Sequence, residues 1–149
     1  MSTYIVTGAC GFIGANFVHD VLTREPGATV VALDNMSFAA NEANLDGVRD
    51  RIHLVVDDIC NFTGMIEVYG KFQPDFVVNF AAESHNDRAV VDPSAFARTN
   101  ALGAQILLEA SRRHPVKRHL HVSTIEVYGE LAEDAACFTE GSPLNAKTP

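Results

Sequence analysis

The stretch Thr3–Leu22, TYIVTGACGFIGANFVHDVL, decides the fold. It opens on a short β-branched run, passes through Gly8, Gly11 and Gly14, and places Ile13, Phe17, Val18, Val21 and Leu22 at helical spacing. Strand, glycine turn, helix is the order a bound diphosphate requires. Residues without side chains let the backbone approach, and a helix N-terminus presents unpaired N–H groups with a partial positive charge. Three glycines alone say little, but Asp34 closes the next apolar run, ATVVALD, twenty residues after Gly14. A carboxylate there reaches the hydroxyls of an adenine-linked ribose. It also selects the cofactor: the extra phosphate of NADP, about 4 Å away, would be repelled by about 4 kcal/mol per unit charge at an effective dielectric near 20. Asn35, Met36 and Ser37 follow, with no arginine to offset the repulsion, so NAD is the expected dinucleotide. Cys10, inside the turn, reads as a small filler rather than a nucleophile.

Working outward, RIHLVVDD (51–58), DFVVNFAA (75–82) and KRHLHVST (117–124) supply three more strand-like runs. The second is almost unbroken in apolar residues, as expected of a strand covered on both faces. AANEANLDGV (39–48) predicts a short helix and TGMIEVYGKF (63–72) a longer one. PSAFARTNALGAQILLEASRR (93–113) predicts the longest, with Pro93 near its start and Phe96, Asn100, Gly103, Leu107 and Ala110 on one face. Gly103 inside it costs about 1 kcal/mol relative to Ala, which predicts a close approach to the sheet. Five strands joined by crossovers predict an α/β fold: a doubly wound parallel sheet of the Rossmann type, one NAD-binding domain over residues 1–149. Beyond Tyr128 the text GELAEDAACFTEGSPLNAKTP is acidic and turn-rich, and predicts a surface loop.

The chain has 149 residues, 47% of them hydrophobic, which suits a single core. Eleven basic residues against nineteen acidic ones give a net charge of −8 without a basic patch, so nucleic acid is not an expected partner. No run approaches the roughly 18 apolar residues of a membrane span, and the N-terminus lacks a basic region before an apolar segment. A cytoplasmic location is expected. Cys10, Cys60 and Cys137 are odd in number and widely spaced, which argues against a disulfide framework and against zinc. His119 and His121 would share one face of a strand, with His114 nearby, yet no carboxylate or cysteine stands close in sequence to complete a metal site. No metal is expected.

The spacing GxxGxxG, together with FAAESHNDRAV, RTN and STIEVYGE, resembles the extended short-chain dehydrogenase/reductase family, and within it the nucleotide-sugar 4,6-dehydratases of the dTDP-glucose 4,6-dehydratase group. The resemblance covers essentially the whole chain. It implies that Asp58 and Ile59 flank the adenine, that Phe80, Ala81, Ala82 and Ser84 line the NAD site after the fourth strand, and that Thr99 lies near the cofactor. The candidate cofactor site is then Gly8, Gly11, Phe12, Ile13, Gly14, Asp34, Asn35, Ser37 and these residues, with Ser123. Ser84, His85, Asp87 and Arg88 would sit beside the sugar nucleotide, although the family usually carries an apolar residue where Asn86 stands. By the same likeness Thr124 holds the hydroxyl on sugar carbon 4 and helps a Tyr base remove its proton. Hydride passes from carbon 4 to NAD, Glu126 takes the acidified proton on carbon 5, an Asp directly before that Glu protonates the departing hydroxyl on carbon 6, and hydride returns to carbon 6.

Two departures stand out. Where that Asp belongs, this chain has Ile125, which cannot donate a proton. General acid help is typically worth ~10²–10⁴ in rate, so either Glu126 or a water replaces it, or the reaction is epimerisation at carbon 4 or 5 or decarboxylation of a sugar acid. A non-catalytic NAD-sensing module is a third possibility, against which the hydroxyl and carboxylate of Ser123–Glu126 argue. Secondly, the family's YxxxK pair follows a loop ending in Thr-Pro or Ser-Pro, and the text stops at Thr148 and Pro149. A Tyr is expected next, and the chain reads as an N-terminal portion lacking the family's C-terminal substrate part, able alone to bind NAD at best. Tyr128 resembles a separate motif tyrosine. Family likeness also implies a homodimer, through helices that would include residues 94–112.

Overall fold

The structure is a computed structural model that describes residues 1–133 and 136–147, and of Asn86 the backbone only. Strands β1 (Thr3–Thr7), β2 (Thr29–Asp34), β3 (Ile52–Val56), β4 (Phe76–Asn79) and β5 (Arg118–His121) form one sheet in the order β3-β2-β1-β4-β5. Every pairing is parallel. The chain runs outward from β1 to β3, then returns to the other side of β1 for β4. Loops leaving the C-terminal ends of β1 and β4 therefore diverge and open a crevice between them.

Helix α1 (Phe12–Arg24) packs Val18 and Leu22 on one face of the sheet, against Val6, Val30 and Ala32. Helices α2 (Phe62–Phe72) and α5 (Ala104–Arg113) cover the other face, where Met65, Tyr69 and Leu107 meet Ile5, Val31, Leu33 and Val77. Tyr69 is fully buried, and its hydroxyl donates to the Leu107 carbonyl at 3.3 Å. Burial pushes that hydroxyl's pKa up to about 12. Ser111 Oγ lies 2.9 Å from His119 Nδ1. Burial, and then the neighbouring His121, hold the His119 pKa below its ordinary value.

Four sequence expectations change. Residues 39–48 form no α-helix: the link from β2 to β3 carries two 3₁₀ turns, Glu42–Leu45 and Arg49–Arg51. There the Asn41 side chain caps Ala43 N–H and Gly47 takes a positive φ of 83°, so local side-chain bonds and a left-handed residue stop propagation. The long helix is not uniform either. It begins as α4 (Pro93–Phe96), after the short α3 (Asn86–Val91), widens into a π-helix at Ala97–Gly103 and resumes as α5. Phe96, Gly103, Leu107 and Ala110 are buried, but the π segment turns Asn100 out of that face. Gly103 meets the chain after β3 rather than the sheet: a Cβ there would lie 2.6 Å from Ile59 Cγ1 and 3.3 Å from Cys60 Sγ. Finally, β4 and β5 stop at Asn79 and His121, so the residues that follow them belong to loops at the crevice.

From Gly129 to Lys147 no helix or strand forms among the described residues, in line with a surface loop. Thr148 and Pro149, the dipeptide before the expected Tyr, lie outside the described residues. Among the described residues, no helix is long and apolar enough to cross a membrane and no group of three or more His, Cys, Asp or Glu is placed to hold a metal ion.

Candidate active site

The glycine turn is forced by sterics. Gly8 has φ +62°, and a Cβ on it would stand 2.8 Å from Ala81 N and 2.9 Å from the Phe80 carbonyl carbon, where the loop after β4 crosses. A Cβ on Gly14 would collide with the Gly8 carbonyl oxygen. Gly11 donates its N–H to that same oxygen at 3.1 Å and then acts as N-cap of α1 without a side-chain cap bond. No acidic residue stands in the first turn of α1. The amides of Phe12, Ile13 and Gly14, which have no partner inside the helix, thus form a concentration of donors suited to a diphosphate.

Asp34 is 6% exposed and already positioned by the backbone: Oδ2 accepts from Cys10 N–H at 2.9 Å and Oδ1 from Met36 N–H at 3.0 Å. Each carboxylate oxygen keeps a second lone-pair site for a ribose hydroxyl. Met36 takes a left-handed φ of 55°, which lets the chain double back behind the carboxylate. Asn41 N–H and the Asn44 side-chain amide both donate to the Cys10 carbonyl, at 3.0 and 2.9 Å. Burial first, and then the charge of Asp34, push the Cys10 thiol up to about 11. It stays protonated at neutral pH and is a filler, not a nucleophile.

From this cradle a cleft of about 740 Å³ runs across the C-terminal edge of the sheet to the segment after β5. A polar row supports its floor. Thr7 donates its hydroxyl to Asn79 Oδ1 and accepts the Ala81 N–H at 3.2 Å, while the Asn79 amide nitrogen lies 3.0 Å from His121 Nδ1. Thr124 caps the 3₁₀ turn Ile125–Tyr128, its Oγ accepting from Glu126 N–H at 3.3 Å. That bond leaves the Thr124 hydroxyl its own O–H to donate. The tail returns here: Asn145 N–H donates to the Val127 carbonyl at 2.9 Å, and Ala146 joins the cleft wall.

The structure brings together on this wall all the candidate cofactor residues except Asp58, and Ser84, His85, Thr124 and Glu126 among the candidate substrate residues. Asp58 instead accepts from Cys60 N–H at 2.8 Å and turns the chain into α2, leaving its neighbour Ile59, 3% exposed, on the wall. Asp87 and Arg88 stand outside the wall; Arg88 pairs with Glu83 at 3.5 Å. Ile125 is 72% exposed and also off the wall. Sequence reasoning missed Glu83, Asn100 and His121 as wall residues. The alternation of β5 points to His121, two residues before Ser123. Asn100 becomes visible only once the π-helix is known: its carboxamide bonds both the N–H and the carbonyl of Glu83 at 2.9 Å and clamps the loop after β4.

A doubly wound parallel sheet with a glycine cradle and a fixed carboxylate on the neighbouring strand defines a Rossmann-type dinucleotide-binding domain. The chain belongs to the family described as GDP-mannose 4,6 dehydratase, whose model matches residues 5–149. It is 44% identical over 146 residues to the dTDP-glucose 4,6-dehydratase of Mycobacterium tuberculosis, covering 97% of this chain and 43% of that protein. Among solved structures, DesIV, the dTDP-glucose 4,6-dehydratase of Streptomyces venezuelae crystallised with NAD, superimposes with a TM-score of 0.90 at 38% identity. That match covers 98% of this chain and 46% of DesIV. The UDP-glucose 4-epimerase of Thermus thermophilus, also solved with NAD, gives 0.87 at 30% identity, covering 98% and 45%. The chain spans less than half the length of each of these relatives.

Proposed function

We propose that the chain is the NAD-binding part of a nucleotide-sugar 4,6-dehydratase, a lyase that forms a 4-keto-6-deoxy sugar from a dTDP-glucose-like substrate. One observation carries this: a single cleft joins the diphosphate cradle and Asp34 at one end to Thr124 and Glu126 at the other. The 44% identity to a dTDP-glucose 4,6-dehydratase and the likeness to an NAD-bound one support it. The residues present fit the cofactor, because the turn that lines the cleft carries no side chains at Gly8, Gly11 and Gly14 and the first-turn amides of α1 have no partner inside the helix. NAD, when bound, supplies the hydride acceptor at carbon 4 and the donor at carbon 6. Cradle amides hold the diphosphate, and Asp34 binds the ribose and rejects a 2′-phosphate. Thr124 directs its proton to the oxygen on carbon 4. Glu126 removes the carbon 5 proton, made acidic by the adjacent ketone, and in place of an acid at Ile125 delivers it to the departing carbon 6 hydroxyl, which leaves as water.

The test is incubation of the whole protein with dTDP-glucose and NAD, followed by NMR of the product. A 4-keto-6-deoxy sugar supports the reading, and recovery of unchanged substrate by an NAD-loaded protein removes it. A 4-epimerase is the second reading, favoured by the hydrocarbon at Ile125 and by the 30% identity to an epimerase. The product from dTDP-glucose separates the two: a 4-keto-6-deoxy sugar marks the dehydratase, whereas a 4-epimer with the carbon 6 hydroxyl retained marks the epimerase.

A further inference from the structure

We propose that Phe38, Arg88 and His85 form a latch arching over the diphosphate cradle, which sets how long a dinucleotide stays bound; this rests on the NAD site proposed above. Sheet order supplies the geometry. With β1 between β2 and β4, the loops after β2 and β4 lie on either side of the glycine turn after β1. A contact between those two flanking loops therefore joins the two sides of that turn. Such a contact exists. The ring of Phe38, from the loop after β2, meets the His85 ring edge-on at 5.7 Å, with planes at 88°. The Arg88 guanidinium lies 5.0 Å over the same ring.

Both halves of the arch are anchored. On one side Asn41 N–H is bonded to the Cys10 carbonyl, so the loop bearing Phe38 is tied to the cradle itself. On the other, Arg88 pairs with the Glu83 carboxylate, and the Glu83 backbone is clamped by Asn100. Ser37, Ala39, Glu83, Ser84 and His85 line the cleft, whereas Phe38 and Arg88 stand at its rim. Phe38 is 73% exposed, a large apolar side chain held at the surface by contacts across the opening rather than by the core. Edge-on aromatic and cation–π contacts suit a latch, since each is modest and reversible.

A rim latch must part for uptake as well as for release, so its removal speeds both, and Kd moves less than either rate. A residue that touches the dinucleotide would instead raise release and Kd together. Stopped-flow fluorescence of bound NADH chased with excess NAD reads the release rate, and mixing with free NADH reads uptake. Phe38→Ala should release NADH on the order of tenfold faster and take it up faster as well, while Phe38→Tyr, which keeps the ring, stays within about twofold of the unaltered protein. Arg88→Met should behave like Phe38→Ala, and the double variant should be no faster than the faster single one, because Arg88 acts through Phe38. Unchanged release in both single variants overturns the latch while leaving the NAD site intact. So does a Kd that rises in step with release while uptake is unchanged. No NADH uptake by the unaltered protein overturns the NAD site and the latch with it.

Discussion

The two ends of the cleft are built differently. At the cradle end the reactive geometry is fixed by the backbone: Asp34 is held by two main-chain amides, the Cys10 carbonyl accepts two further bonds, and the glycines admit no side chain. At the end after β5 support is local. Thr124 caps its own turn, Ile125 is exposed, and the tail is joined through Asn145 and Val127. β5 is moreover an edge strand of the described sheet, with Leu120 54% exposed. A dinucleotide site is thus preorganised by the fold, whereas the segment proposed to carry the chemistry is held by its own turn and by the returning tail.

The largest expected effect breaks the comparison at its weak end. Glu126→Gln cannot take up the carbon 5 proton, and kcat for elimination should fall by ~10²–10⁴, with NAD affinity unchanged by calorimetry. Unaltered product formation would show that this end holds no catalytic group at Glu126. At the strong end, Asp34→Asn removes the charge that rejects a 2′-phosphate, and NAD over NADP preference should drop by about 10³, measured as the ratio of Kd values. The same variant places an amide N–H against Cys10 or Met36 N–H, which should lower stability by about 1–3 kcal/mol.

A matched pair of glycines sharpens the contrast. Added Cβ atoms at Gly14 and Gly129 would each collide with a carbonyl oxygen, of Gly8 and Asn145 respectively, and Gly129 also has φ +82°. Gly14→Ala presses on a buried turn that cannot give way, and should cost about 3 kcal/mol in urea unfolding. Gly129→Ala presses on a surface loop that can move, so a smaller loss of about 1–2 kcal/mol is expected, chiefly from a φ of 82° with ψ of −150°, a conformation nearly confined to glycine. Equal losses would mean that the tail is as rigid as the cradle.

The smallest effect concerns pH. His119, half-buried beside Ser111, has its pKa lowered by burial and then by His121, so the folded protein binds this proton less readily than the unfolded chain. Its contribution to stability is complete above the ordinary value of 6.5 and is lost as pH falls from there through the folded value. His119→Gln should flatten the melting temperature against pH in that window, and an unchanged slope would assign the acid sensitivity to other groups.

Much of the cradle was legible in the sequence, because its parts act through what they lack or where a strand ends. Glycine spacing encodes a backbone path, and Asp34 is placed by counting residues along β2. The π-helix was not legible, since one widened turn leaves no mark on a helical pattern when Phe96, Gly103, Leu107 and Ala110 still fall inward. Asn100 looked like a buried face residue and proved to be a clamp on Glu83. Nor did the text show that Asp58 spends its carboxylate on a turn.

The sequence by itself determined the succession of strands and crossovers along the chain, the glycine turn and the carboxylate that ends β2, because each depends on short-range sterics and periodicity. Only the tertiary structure decided which loops face each other. Setting β1 between β2 and β4 is what brings Phe38 to His85 across the cradle and Asn100 to Glu83. Those meetings are made by chain segments distant in sequence, whose approach is fixed by sheet order and packing rather than by any local signal.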